Sequence, residues 1–105
     1  MFITTTENVP GKEIVDVKGL VQGSTVQSKH VGRDIGAGLK TLVGGEIKGY
    51  SEMMNEAREI ATQRMIQEAE SMGANGIIGM RYQSSQIMNS AAEVIAYGTA
   101  VVFKD

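Results

Sequence analysis

The sequence predicts an α+β fold: a small antiparallel or mixed sheet with one long and one short helix. Three observations carry that expectation. "SEMMNEAREIATQRMIQEAESMGAN" places Met54, Ala57, Ala61, Met65, Ala69 and Met72 at three- and four-residue steps, with most charges elsewhere, as an amphipathic helix requires. Segments of strand character stand before and after it. The last of these, residues 94–103, contains no charged residue.

In chain order, residues 2–6 form a short strand candidate. "ENVPGK" then reads as a turn, with Pro10 and Gly11 suited to its two central positions. Residues 14–27 form a longer strand in which Val15, Val17 and Val21 share a face with Gly19 and Gly23. Two glycines inside one strand point to a bulge or a close neighbour. The long helix is expected over residues 52–72, capped by Ser51, with Glu52 in its first turn and Gly73 ending it. Two strands follow, "GIIGMRYQSSQI" and "EVIAYGTAVVF", joined through "MNSAA". A strand as apolar as residues 94–103 asks for cover on both faces, and the helices can cover only one. A second copy of the chain is the simplest cover for the other, which makes self-association the main functional expectation.

"GRDIGAGLKTLVGGEIKGY" gathers six of the thirteen glycines. It is not a P-loop, because Leu39 rather than glycine precedes Lys40, and Thr41 stands where the third small residue of a dinucleotide fingerprint belongs. A short helix over residues 35–43, capped by Asp34 and closed by Gly44 and Gly45, fits better. Gly36, Ala37 and Gly38 would let another backbone approach, within the subunit or from a neighbour. Asp34 would itself occupy the helix end that attracts an anion.

Composition narrows the chemistry. A formal net charge of −2 gives no reason to expect nucleic acid or an anionic membrane as partner. With no cysteine, disulfides, thiolate metal sites and cysteine nucleophiles are excluded. The chain starts without a secretory pattern and has no eighteen-residue apolar run, so one cytoplasmic domain spanning residues 1–105, without membrane insertion, is expected. No cofactor is expected.

His30 is the only histidine and can supply one group per subunit. Glu52, Glu56 and Glu59 lie at helical steps that could bind a hard cation, though a solvated acidic face is the commoner meaning. Met53, Met54, Met65, Met72 and Met80 could in principle bind Cu(I), but methionine at core spacing is ordinarily packing. Tyr50, Tyr82 and Tyr97 are too scattered for a stacking platform. For a small ligand at a subunit boundary the polar candidates are Arg33, Asp34, Tyr50 and Arg58. Their structural readings are a surface cation, a helix cap, an amphipathic packing residue and a helix-surface charge.

The chain resembles the YbjQ family of small bacterial proteins. The resemblance rests on "TTT" near the start, "GLVQG", Arg33 and Asp34, Ala37 and Gly38, "VGG", Tyr50, "AREIA", "GANGIIG" and "GTAVV", in this order and spacing. It implies an α+β subunit in a ring-like homo-oligomer, expected to be a pentamer, in which strands and small-residue segments meet across subunits. The family carries a heavy-metal-binding label and no established activity. A non-enzymatic structural or binding module is therefore the leading expectation, with a small-molecule or protein partner unidentified. A metal-binding protein using carboxylates, or His30 gathered around a symmetry axis, is the alternative.

Overall fold

The computed structural model describes residues 1–28, 48–88 and 91–105. Among these, the strands β1 (Phe2–Ile3), β2 (Ile14–Ser28), β3 (Gly76–Met88) and β4 (Ala91–Phe103) form one mixed sheet in the order β1-β3-β4-β2. Helix α1 (Lys48–Ser71) packs on one face of it. β4 lies between β2 and β3 and is antiparallel to both, whereas β1 runs parallel to β3. The short helix expected over residues 35–43, together with His30, Arg33, Asp34, Gly36 and Gly38, lies outside the described residues.

The helical stripe becomes the core. Ala57, Ala61, Met65 and Ala69 are fully buried against Val21, Ile77, Val94, Ala96 and Ala100. Met54, Ile66 and Met72 pack at the margin, so the methionines of the stripe act as filling for an otherwise alanine-rich interface. α1 starts at Lys48 rather than at residue 52, and Ser51 is an interior residue instead of a cap. Half-buried Tyr50 explains the earlier start: three and four residues before Met53 and Met54, it continues the same stripe.

The C-terminal end of α1 is closed as expected. Gly73 has a φ of 82°, its N–H reaches Glu70 O at 3.0 Å, and Ala74 N–H reaches back to Ala69 O at 3.1 Å. These bonds form a Schellman cap. The Pro10–Gly11 turn is of type II: Gly11 has φ 82° at the position that demands it, and Lys12 N–H donates to Val9 O at 3.1 Å.

Both interior glycines of β2 do what was expected of such residues, but Val15 and Val17 do not share the face of Val21. Gly19, with φ 116°, sits at a register shift between Val17 and Gly19. Lys18 is the extra residue there, so the faces exchange along the strand: Val21 is fully buried, while Val15 and Val17 are more than half exposed. Gly23 is the close approach. A Cβ at this position would overlap the backbone oxygen of Ala61 and nitrogen of Met65.

β1 is shorter than the expected residues 2–6 because β3 bulges beside it. Gly79, with φ 61°, falls within a register shift between Ile78 and Arg81. The bulge turns the N–H groups of Gly79 and Met80 outward to Thr6 O and Thr4 O, at 2.9 and 3.0 Å. Opposite it, Gly98 leaves room for Ile77 and Ile78.

Candidate functional site

Two of the four candidate ligand residues fall on α1. Tyr50 is half-buried in its first turn, and Arg58 donates from Nη2 to Asn55 Oδ1 at 2.5 Å one turn back. Eight residues separate them, about 12 Å along the axis, so these two do not converge on one small site. Glu52, Glu56 and Glu59 are exposed on the outer side of α1. Among the described residues no group of three or more His, Asp or Glu is placed to hold a metal ion.

What the described structure does present is an uncovered end of the sheet. α1 lies over β2 and β4 and scarcely touches β3. On β4, Ala92, Val94, Ala96, Gly98 and Ala100 are buried beneath the helix, whereas Ile95, Tyr97 and Thr99 on the opposite face are only half-buried. Beside them on that face stand Leu20, 68% exposed and paired with Thr99, and Val26, 56% exposed and paired with Glu93. The uncharged run over residues 94–103 thus has one dry face and one incompletely covered face. At the far end of that second face Val101 and Phe103 are buried, and Phe103 meets Phe2 edge-on at 5.8 Å between ring centroids.

β3 is barer still. From Arg81 to Met88 every residue is exposed, including Tyr82, Ile87 and Met88 at 46, 51 and 63%. Tyr82 is fixed by a 2.6 Å hydrogen bond between its hydroxyl and that of Thr62 on α1. Beyond Met80 no described strand lies along the outer side of β3.

The other edge of the sheet is treated differently. Gln22 N–H on β2 donates to Glu68 Oε1 at 2.9 Å, and Arg64 Nη1 donates to Ser24 O at 2.7 Å. One turn of α1 thereby satisfies two backbone groups on the outer side of β2. The helical spacing of Arg64 and Glu68 is visible in the sequence, but nothing local says that they reach over a strand edge.

Nearer β1, Asp16 and Lys18 form a 3.0 Å ion pair beside the β2 bulge. The hydrogen bond and positive charge of Lys18 hold the Asp16 carboxyl below its ordinary pKa. Asn75 ties the two ends of the sheet's inner strands: Nδ2 donates to Phe103 O at 3.1 Å, and Phe103 N–H donates to Asn75 Oδ1 at 2.7 Å.

The motif residues that carry the family resemblance are largely accounted for by these structural tasks. In "GANGIIG", Gly73 ends the helix, Asn75 clamps Phe103, Gly76 lies against the Phe103 ring and Gly79 forms the bulge. In "GLVQG", Gly19 and Gly23 form a bulge and a helix seat.

Comparison with known proteins agrees with that pattern. The YbjQ family model, described as "Putative heavy-metal-binding", matches residues 1–104. A UPF0145 protein of Halalkalibacterium halodurans is 64% identical over 101 residues, covering 96% of this chain and 95% of that protein. One from Thermotoga maritima is 61% identical with the same coverage. A crystal structure of a protein of unknown function from Pediococcus pentosaceus, assigned to the DUF74 family, superposes with a TM-score of 0.63 at 22% identity over 99% of this chain and 98% of that one. That likeness concerns the fold, and the sequence relationship is the stronger statement: the chain belongs to the YbjQ family, also called UPF0145.

Proposed function

We propose that this protein is a non-enzymatic, cytoplasmic structural or binding module that works as a homo-oligomeric ring. The observation that carries this reading is the incompletely covered second face of the sheet. Leu20, Val26, Ile95 and Tyr97 share it with almost no charge on β4, and burying such surface against another copy is favourable by about 25 cal/mol per Å² of apolar area. Five subunits is the number the family resemblance implies. Native mass spectra of untagged protein at micromolar concentration test the reading. A single multiple of the subunit mass is the expected result, and a monodisperse monomer contradicts it.

Metal binding is the second reading, favoured by the family's description as heavy-metal-binding. It would draw on exposed carboxylates or on His30 brought together around an axis. Protein purified without chelators or added metal should then carry a stoichiometric extra mass, identified by elemental analysis. A bare oligomer whose thermal stability ignores added divalent cations argues against it.

A further inference from the structure

We propose that Asn75–Gly76 is a covalent modification site, at which Asn75 deamidates by attack of the Gly76 backbone nitrogen, and that the folded protein holds this reaction off through its contacts with Phe103. A glycine after asparagine favours the reaction, because no Cβ hinders the approach of the nitrogen and the backbone there turns freely. Asparagine is a thermally labile residue, and this setting is the one that exposes the lability. Among the described asparagines, Asn8 precedes Val9 and Asn55 precedes Glu56, so Asn75 alone has glycine as its neighbour.

Phe103 dictates both members of the pair. Asn75 Nδ2 donates to Phe103 O at 3.1 Å while Asn75 Oδ1 accepts from Phe103 N–H at 2.7 Å, a reciprocal contact that needs a donor and an acceptor on one side chain. Gly76 is buried, with the Phe103 ring standing where a Cβ would be. The packing that closes this end of the sheet therefore requires the labile pair.

The same contacts restrain it. Asn75 is exposed, so exclusion of water is not what protects its side chain. Protection is conformational: Cγ must swing toward the Gly76 nitrogen, and that movement breaks both bonds to Phe103. The backbone is held as well, by Phe2 N–H donating to Asn75 O at 3.2 Å and Asn75 N–H donating to Val101 O at 3.1 Å. Closing a five-membered ring needs a backbone rotation that these bonds oppose.

Once they open, the Gly76 nitrogen gives its proton to solvent hydroxide and bonds to Asn75 Cγ. The bond from Cγ to Nδ2 breaks, and ammonia leaves with a proton taken from water. A second water opens the resulting cyclic imide. Breaking the bond between Cγ and the imide nitrogen gives aspartate, whereas breaking the bond from the main-chain carbonyl carbon to that nitrogen gives isoaspartate, with one more carbon in the backbone. Neither product restores the contact with Phe103. Ionised aspartate has no donor for Phe103 O and sets a carboxylate beside it. The extra carbon of isoaspartate displaces the backbone groups that pair with Phe2 and Val101. Unfolding that outlasts the reaction thereby becomes irreversible.

The test incubates the full chain at mildly alkaline pH, folded in buffer and unfolded in guanidinium chloride, and follows conversion of amide to acid by peptide mass, with Asn8 and Asn55 as internal references. In denaturant Asn75 should react about tenfold or more faster than either reference, and about tenfold or more faster than Asn75 in the folded protein, where the reaction waits on opening. Chains modified at position 75 should fail to regain the wild-type circular dichroism on dilution, and Asn75→Asp should unfold at a lower denaturant midpoint than wild type. If Asn75→Asp does not fold at all, the need for the amide is met in full and the wild-type rates still decide the site. Equal rates at Asn75 in folded and unfolded protein overturn the protection. A rate in denaturant no higher than at Asn8 and Asn55 overturns the site itself. Modified chains that refold with the wild-type midpoint overturn the irreversibility.

Discussion

Gly23 is the residue on which the seating of the helix depends. Any side chain there meets the α1 backbone at Ala61 and Met65, which cannot give as a flexible side chain could. Gly23→Val should therefore lower stability by about 2–3 kcal/mol, read from urea unfolding midpoints. Asn75 works through hydrogen bonds rather than space. Asn75→Ala leaves the N–H and C=O of half-buried surroundings at Phe103 without their side-chain partner, and a loss of about 1–3 kcal/mol is expected by the same measurement. At Asp16 the hydrogen bond and charge of Lys18 hold the folded-state pKa below the ordinary aspartate value, so its small contribution is present above that ordinary value and disappears as pH falls through the lowered one. Lys18→Ala should move the Asp16 titration upward toward the ordinary carboxylate range, a shift that carboxyl-carbon NMR resolves. An unmoved titration would mean that the 3.0 Å pair does not persist in solution.

At the scale of elements, α1 and β2 show why some features could be read from sequence and others could not. The stripe Ala57, Ala61, Met65, Ala69 is fixed by helix period alone, and it packs as the spacing says. β2 is different, since the position of its bulges is set by pairing with β4, and a single extra residue at Lys18 moves Val17 and Val21 to opposite faces. The Asn75 clamp joins residues 28 apart in the chain, and the Arg64 and Glu68 contacts to β2 span 40 and 46. Separations of that kind leave no local trace. Of the candidate ligand residues, Tyr50 and Arg58 are placed on α1 without converging, and Arg33 and Asp34 lie outside the described residues. The guard on β2 makes its own prediction. Replacing Arg64 and Glu68 together by alanine should cost less than about 1 kcal/mol, because both side chains are exposed, yet it frees two backbone groups on a strand edge. Light scattering should therefore rise faster on storage than for wild type, at nearly unchanged unfolding temperature.

The described part of the subunit is long and thin. The described residues extend 53 × 25 × 17 Å. Among these residues the exposed apolar surface is concentrated on the open face and the outer half of β3. Leu20→Glu distinguishes the subunit's own stability from the proposed assembly: at 68% exposure it should change the stability of an isolated subunit by only about 0.5 kcal/mol, but it would place a charge on the face proposed to meet another copy. Retained circular dichroism with a reduced native mass is the expected outcome. The most direct test of the central claim is small-angle X-ray scattering of untagged wild-type protein at micromolar concentration. Self-assembly predicts forward scattering at a fixed multiple of the 11.2 kDa subunit, whereas forward scattering of an 11.2 kDa particle would contradict it.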